Sequence, residues 1–168
     1  GPDPRVRSNL VHWLSPLGAD PRPLVQRLDR ESDVSVRRAL LLALGEFSES
    51  QLPVKDRLPL IEKLTGIYEH EADAGLHGAA EWLLRKWDQG ARLAVVAEGL
   101  RANEEQRLAA QAAEPRQWYI NTQGQTFVIL AAGEFRLGSP PAEAGHNPTE
   151  RAHKCRIGRR IALAAKYG

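Results

Sequence analysis

The sequence predicts a mainly α-helical chain, in which a short α-solenoid precedes a small, incomplete β-rich segment, so that the whole is α+β. Two observations lead to this fold class. Residues 1–113 carry apolar residues three or four positions apart, as on one face of a helix. Residues 117–139 change to glycine, β-branched and aromatic residues with a period of two, as in strands. We therefore place a boundary at Pro115, between a helical repeat region 1–113 and a second region 114–168.

Three segments of the helical region share a weak internal repeat. They are Asp3–Leu14, Asp33–Leu44 and Asp73–Leu84, with the common pattern Asp-x-x-[Val/Leu]-[Arg/His]-x-x-[Leu/Ala]-x-x-x-Leu. Each aspartate stands where its carboxylate can cap the first turn of a helix. The apolar positions form one stripe per helix, which we expect to face the core. The stripes are Val6, Leu10 and Leu14; Val36, Leu40 and Leu44; and Leu76, Ala80 and Leu84.

Partner helices lie between and after the repeats. We expect them at Asp20–Arg30, Leu52–His70 and Gly90–Ala113, with Pro59 bending or delaying the second. The second should bury one side made of Val54, Leu58, Ile61, Leu64 and Tyr68. Offsets of 30 and 40 residues between repeats favour a short α-solenoid, and the pattern resembles HEAT-like repeats. A generic helical bundle would explain the same stripes.

The second region begins with the residue pattern of a β-hairpin. Gln117–Asn121 and Gln125–Leu130 alternate with period two and are separated by a short turn that ends at Gly124. Glycine suits this turn because it adopts positive φ without strain. Gly133–Ser139 predicts a third short strand, which ends in a proline-rich loop.

The order of residues from Trp118 to Lys166 is distinctive. A Trp-Tyr pair, Asn and Gly-Gln-Thr precede a short apolar strand, a Gly-x-Phe-x-x-Gly-Ser motif and a loop with Glu and His. The residues are Trp118, Tyr119, Asn121, Gly124, Gln125, Thr126, Gly133, Phe135, Gly138, Ser139, Glu143, Glu150 and His153, followed by Ile157, Ile161, Leu163 and Lys166. This order resembles the start of a formylglycine-generating enzyme domain, the sulfatase-modifying-factor family. Leu137 stands where that family usually has methionine, and Ile161 where it has an aromatic residue.

The resemblance implies that a complete domain would oxidise a target cysteine to formylglycine, or run related oxygen-dependent chemistry at copper, iron or calcium. The family's catalytic cysteines and metal ligands lie in a C-terminal part that has no counterpart here. We therefore assign no catalytic, cofactor-binding or metal-binding residue, and expect a non-catalytic piece of a larger bacterial protein. Such proteins often join this domain to helical repeats or a Ser/Thr kinase, and the repeats would bind a protein partner.

Two other functions stay open. The first is a stand-alone interaction scaffold, in which the helices present a concave face to a protein segment and the strands serve as a cap. The second, ranked last, is nucleic-acid binding through the basic stretch Arg151–Lys166. Each predicts a different dependence on the second region.

Composition sets further bounds. The net charge is +2, but residues 1–113 hold 15 Lys/Arg and 17 Asp/Glu, whereas residues 114–168 hold 8 and 4. The longest apolar runs are far shorter than the roughly 20 residues of a membrane-spanning helix, and no secretory signal is visible. One cysteine favours a reducing compartment, so we expect a cytoplasmic protein. The start at Gly1 and the absence of methionine suggest a piece of a longer chain.

Several residues invite a chemical role. Cys155 lies among cations in HKCRIGRR, yet no base or second thiol accompanies it, and we expect an ordinary thiol. His153 and Cys155 with His146 are too few and too loosely spaced for structural zinc. His77 and Glu81 lie one helical turn apart, where a solvated or capping role is expected.

Aromatic residues in the helical region raise a second set of candidates. Trp82 and Trp87 flank Arg85-Lys86 and could form a platform for a peptide or nucleic acid. Core packing with the cations reaching to solvent is the more common outcome, and we expect it here. His12, beside Trp13, is expected to pack.

Overall fold

The fold is known from a computed structural model, which describes residues 4–109, 116–139, 147, 149 and 151–165. Within these residues, helices come first and strands follow. The helices are α1 Pro4–Trp13, α2 Arg22–Arg30, α3 Val34–Gly45, α4 Val54–His70, α5 Ala74–Lys86 and α6 Gly90–Ala109. The strands are β1 Trp118–Ile120, β2 Thr126–Leu130, β3 Gly133–Leu137, β4 His153–Ile157 and β5 Ile161–Ala164. A helical region followed by a small antiparallel β region confirms the α+β prediction.

The helices share one apolar core centred on α3 and α5. α3 packs against α1, α2 and α5, and α5 also packs against α4 and α6. The core includes Leu41 and Leu44 of α3, Leu64 of α4 and Leu76 and Leu83 of α5, each at most 1% exposed. Trp118 and Ile120 of β1 extend this core into the strands. None of the described helices has the length and apolarity needed to cross a lipid bilayer.

The predicted caps and the α5 stripe are confirmed. The side chain of Asp33 accepts the backbone N–H of Val36, and that of Asp73 accepts the N–H of Leu76, each at 2.8 Å. These bonds satisfy donors that the first turn of a helix cannot pair internally. Leu76, Ala80 and Leu84 are fully buried. Asp3, the first of the three aspartates, lies outside the described residues.

The stripe predicted for the first repeat is wrong at Val6 and Leu10, whereas its third residue, Leu14, packs against the core. Val6 and Leu10 are 56% and 57% exposed, whereas Val11 is 9% exposed. Five residues turn an α-helix by about 140° from its starting direction, so Val11 and Val6 lie on different faces. α1 packs against α3, and only the face with Val11 gains that burial. The first stripe residue of α3, Val36, is likewise 41% exposed.

The first turns of α4 also depart from the prediction. Val54 and Leu58 are 50% and 57% exposed, and Pro59 lies inside the helix without delaying its start. Arg57 takes the inward position instead, because its Nε donates to the Leu52 carbonyl at 2.7 Å and its guanidinium lies over the Trp87 ring. Ile61, Leu64 and Tyr68 are buried as predicted.

The predicted hairpin is confirmed. β1 and β2 pair antiparallel, with Trp118 opposite Val128, and the turn between them contains Gly124 at a φ of 77°. β2 also pairs with β5, and β3 pairs with β4. The third predicted strand, β3, ends before Gly138, which has a φ of 95°.

The described strands form two separate sheets. One has three strands in the order β1-β2-β5, and the other is a two-stranded ribbon of β3 and β4. Leu130 is opposite Ile161 in the first, and Gly133 is opposite Ile157 in the second. Residues 131–132 and 158–160 therefore connect the two sheets.

Candidate functional site

A groove lies between α1, α3 and α5, and we name it the α1–α3–α5 groove. Its volume is about 210 Å³. The apolar lining is Val11, Ala39, Leu42 and Trp82, and the polar lining is Ser8, His12, Ser35, Arg38 and Glu46. α1 packs against α3, and Trp82 of α5 lies half-buried at the same groove. The groove thus combines an apolar floor with a charged edge.

Charges of both signs lie at the edge of the groove. The Glu46 carboxylate lies 3.5 Å from both His12 Nδ1 and Lys86 Nζ, so the Lys86 ammonium pairs with it. The Lys86 ammonium also lies 4.9 Å from the centre of the Trp82 ring. On the other side, Arg38 lies 3.4 Å from Asp73, at the long end of ion-pair contact. The edge therefore carries two cations, Lys86 and Arg38, and two carboxylates, Glu46 and Asp73.

Arg38 is held close to the backbone of α5. A Cβ added at Gly75 would lie 2.4 Å from its Cζ, so the guanidinium occupies space that only glycine leaves open. Its Nε is buried and makes no hydrogen bond to any residue that the structure describes. A buried guanidinium nitrogen without an acceptor is costly, and an anion in the groove could reach the same group.

A second cluster joins the strands to the helices, and we name it the aromatic joint. The His77 ring is fully buried and stacks between Tyr68, at 4.5 Å, and Trp118, at 3.6 Å between ring centres. His77 Nδ1 lies 2.8 Å from the Tyr68 carbonyl. The Arg116 guanidinium lies 4.5 Å from the centre of the Trp118 ring. Burial, with the nearby Glu81 carboxylate, raises the pKa of Tyr68 to about 12.

Backbone acceptors fix this joint. Trp118 Nε1 donates to the Glu71 carbonyl at 2.8 Å, and Arg116 Nη2 donates to the Glu69 carbonyl at 3.0 Å. The Gln117 N–H donates to the Ala72 carbonyl at 3.0 Å. Three consecutive residues before and within β1 therefore bind the end of α4 and the turn that follows it. The arrangement is a structural anchor, since it buries the indole instead of opening a cavity.

The solvated or capping role expected for His77 and Glu81 is wrong. His77 is fully buried, Glu81 is 6% exposed, and the Glu81 carboxylate accepts from Arg85 Nε at 2.8 Å. The packing role expected for His12 is also wrong, because its side chain is 68% exposed. Trp118, far away in sequence, covers His77, whereas the His12 side chain stays open to solvent at the groove.

The remaining candidates take structural positions. Trp87 is buried and Trp82 half-buried, which agrees with the packing prediction. Cys155 is half-buried in β4, opposite Phe135. His153 Nδ1 lies 2.9 Å from the Arg151 carbonyl, and His146 lies outside the described residues. Among the described residues, no three His, Cys, Asp or Glu side chains lie close enough together to hold a metal ion.

Comparisons of the chain with family models, curated proteins and solved structures give no match. The groove was not predicted from the sequence, although one signal for it exists. Arg38, Leu42 and Glu46 stand at intervals of four and so share one side of α3, where charged and apolar residues alternate. A purely structural stripe would be apolar throughout.

Proposed function

We propose that this chain is a non-catalytic, partner-binding module whose α1–α3–α5 groove holds a segment of another protein. The observation that carries the proposal is the groove itself, with its apolar floor and the Arg38 guanidinium at its edge. Its volume of about 210 Å³ is smaller than the roughly 300–1,000 Å³ of typical small-molecule sites. It suits one bulky apolar side chain of a peptide, with an acidic residue of the same peptide near Arg38.

The helical arrangement supports a scaffold role. α1, α3 and α5 lie side by side, and α4 and α6 pack against this row, which is compatible with a short solenoid of HEAT-like repeats. Such arrays bind extended partners along one face because each repeat contributes a small part of a continuous surface. A cytoplasmic, reducing setting belongs to the same proposal, on the ground of the single cysteine.

The second candidate function concerns the strands. The proposal that residues 114–168 open a formylglycine-generating-enzyme-like domain is supported by the positive φ of Gly124 and Gly138, two of its motif glycines. It is also supported by Phe135 and Leu137, which remain 43% and 53% exposed on one face of the ribbon. A larger sheet or loop layer would cover such a face. Oxidation chemistry and any copper, iron or calcium would then belong to the rest of that domain.

Peptide selection tests the groove. A random peptide library displayed on phage is panned against the full chain, and selected peptides are titrated by fluorescence anisotropy. We expect a consensus with one bulky apolar residue close to Asp or Glu. Leu42→Arg should weaken binding at least about tenfold, since it places a charge on the apolar floor. The matched control, Val95→Arg, changes an exposed valine of α6 and should bind as the parent does.

A further variant separates the two parts of the groove. Gly75→Ala displaces the Arg38 guanidinium and should remove the preference for acidic residues while keeping the apolar one. The proposal is wrong if selection gives no consensus, or if Leu42→Arg and Val95→Arg bind equally well. For the strands, the coding region that follows residue 168 is decisive. A continuation with a cysteine pair supports the second candidate, and its absence removes it.

A further inference from the structure

The ribbon formed by β3 and β4 has two chemically different faces. Side chains alternate along a strand, and directly paired residues share a face. Phe135 is opposite Cys155 and Leu137 is opposite His153, which makes one face largely apolar. The other face carries Glu134 opposite Arg156 and Arg136 opposite Lys154. We name the second one the basic face.

The basic face is exposed, and its cations have few partners. All four of its side chains are exposed, and three are cationic against one carboxylate. Among the residues that the structure describes, none of Arg136, Lys154 and Arg156 forms an ion pair. Arg136 and Lys154 are also direct cross-strand neighbours, and like charges in that position destabilise a sheet. An anion lying across the pair would relieve this repulsion.

The connection between β4 and β5 adds further positive charge next to the ribbon. Arg159 and Arg160 lie in this connection, just after β4, and are exposed. Cations on one strand lie about 6.6 Å apart and those on paired strands about 5 Å apart. A partner that engages them all must carry dense, regularly spaced negative charge.

We propose that the basic face of this ribbon binds the backbone of double-helical DNA. Duplex DNA presents closely and regularly spaced phosphates along its whole length, so one duplex offers an anion to each of these cations. Its major groove, about 12 Å wide, admits a two-stranded β-ribbon, whereas that of an RNA helix is too narrow. Single-stranded partners need aromatic stacking platforms, and the basic face has no aromatic side chain in the described ribbon. The contacts are to phosphates, so binding is insensitive to base sequence.

Salt-dependent titration of the full chain tests this inference. A fluorescently labelled DNA duplex is titrated by anisotropy between about 50 and about 200 mM salt. With about four phosphates contacted, the logarithm of the association constant should fall with the logarithm of salt concentration with a slope of about −3 to −4. Two duplexes of unrelated sequence should bind equally.

Charge-removal variants locate the surface. Lys154→Gln with Arg156→Gln should reduce the salt slope by about 2 in magnitude, because two phosphate contacts are lost. Arg159→Gln with Arg160→Gln tests the connection between β4 and β5 separately and should act in the same direction. The matched control removes the same charge from exposed positions of the helices, Arg30→Gln with Lys55→Gln, and should leave the slope unchanged.

Three results would overturn the inference. The first is a salt slope that the double variants in β4 and in the connection after it both leave unchanged. The second is an equal effect of the helical control, which would assign binding to net charge instead of this face. The third is equal binding to polyglutamate or to anionic lipid vesicles at the same charge concentration, which would assign the face to an acidic protein or a membrane surface.

Discussion

Replacing Trp118 with alanine should reveal how strongly the strands stabilise the helices. The indole is 1% exposed, stacks on His77 at 3.6 Å and donates to the Glu71 carbonyl. A buried Trp side chain removes about 150–250 Å² from water, which is worth about 4–6 kcal/mol at about 25 cal/mol per Å². Measured Trp-to-Ala changes in cores cost about 3–5 kcal/mol, and we expect Trp118→Ala to lower the free energy of unfolding by that amount.

A conservative variant divides this loss into two parts. Trp118→Phe keeps an aromatic ring against His77 but removes the N–H that the Glu71 carbonyl accepts. The expected loss is about 1–2 kcal/mol, the cost of leaving a buried acceptor without its donor. Trp13→Ala is the matched control, because that indole is 58% exposed and its removal should change stability by less than about 1 kcal/mol.

Urea unfolding followed by far-ultraviolet circular dichroism measures all three variants, since the signal comes mainly from the helices. A loss in Trp118→Ala no larger than that in Trp13→Ala would refute the reasoning. It would mean that the strands detach without affecting the helical core. The contacts in the aromatic joint would then not stabilise the helices.

Three further predictions concern the helices. Gly45→Ala should destabilise the protein by about 1–3 kcal/mol in thermal unfolding, because the new Cβ would lie 2.3 Å from Trp82. Gly66→Ala is the control, since Gly66 has open space around it, and it should stabilise the protein by about 0.5–1 kcal/mol. Equal shifts would contradict the packing at Gly45. Asp33→Ala should cost about 1 kcal/mol by removing the cap of α3, whereas Asp33→Asn should be nearly neutral in the same assay. Burial raises the pKa of Tyr68 to about 12 from 10.0, so the folded state holds this proton more tightly than the unfolded state does. The resulting contribution to the free energy of unfolding, about 3 kcal/mol, is present below pH 10 and is lost as the pH rises through about 12. An ultraviolet titration in which every tyrosine ionises near pH 10 would contradict this.

The local features of the fold were predictable because each depends on neighbours in sequence. The caps at Asp33 and Asp73 and the buried stripe of α5 follow from residues within one or two turns. So does the hairpin, whose turn needs a residue such as Gly124 at positive φ.

The faces of the outer helices were not predictable from periodicity alone. Val6 and Leu10 satisfy the same pattern as the buried residues of α5, yet they are exposed, and Val11 is the residue of α1 that is buried where α1 packs against α3. In the same way, the local sequence predicts that His77 is a surface residue, but the ring of Trp118, far along the chain, covers it. A pattern within one helix records which residues are apolar, but the number and direction of its neighbours decide which of them are buried.

The groove was unpredictable for a related reason. Arg38, Glu46 and Trp82 come from two helices, and His12 from a third. Their spacing in sequence carries no sign of a common surface. The charge of the ribbon was visible as a basic stretch, but its arrangement on one face required the pairing register of β3 and β4.

The attachment of β1 to the helices has a consequence for how this chain tolerates change. Its three donors meet the main-chain oxygens of Glu69, Glu71 and Ala72, and every amino acid offers such an oxygen. Exchanging the side chains of those three positions should therefore leave the attachment intact. Adding or deleting one residue there would move these carbonyl oxygens away from their donors. The length of this connection is therefore constrained, whereas its amino-acid sequence is not.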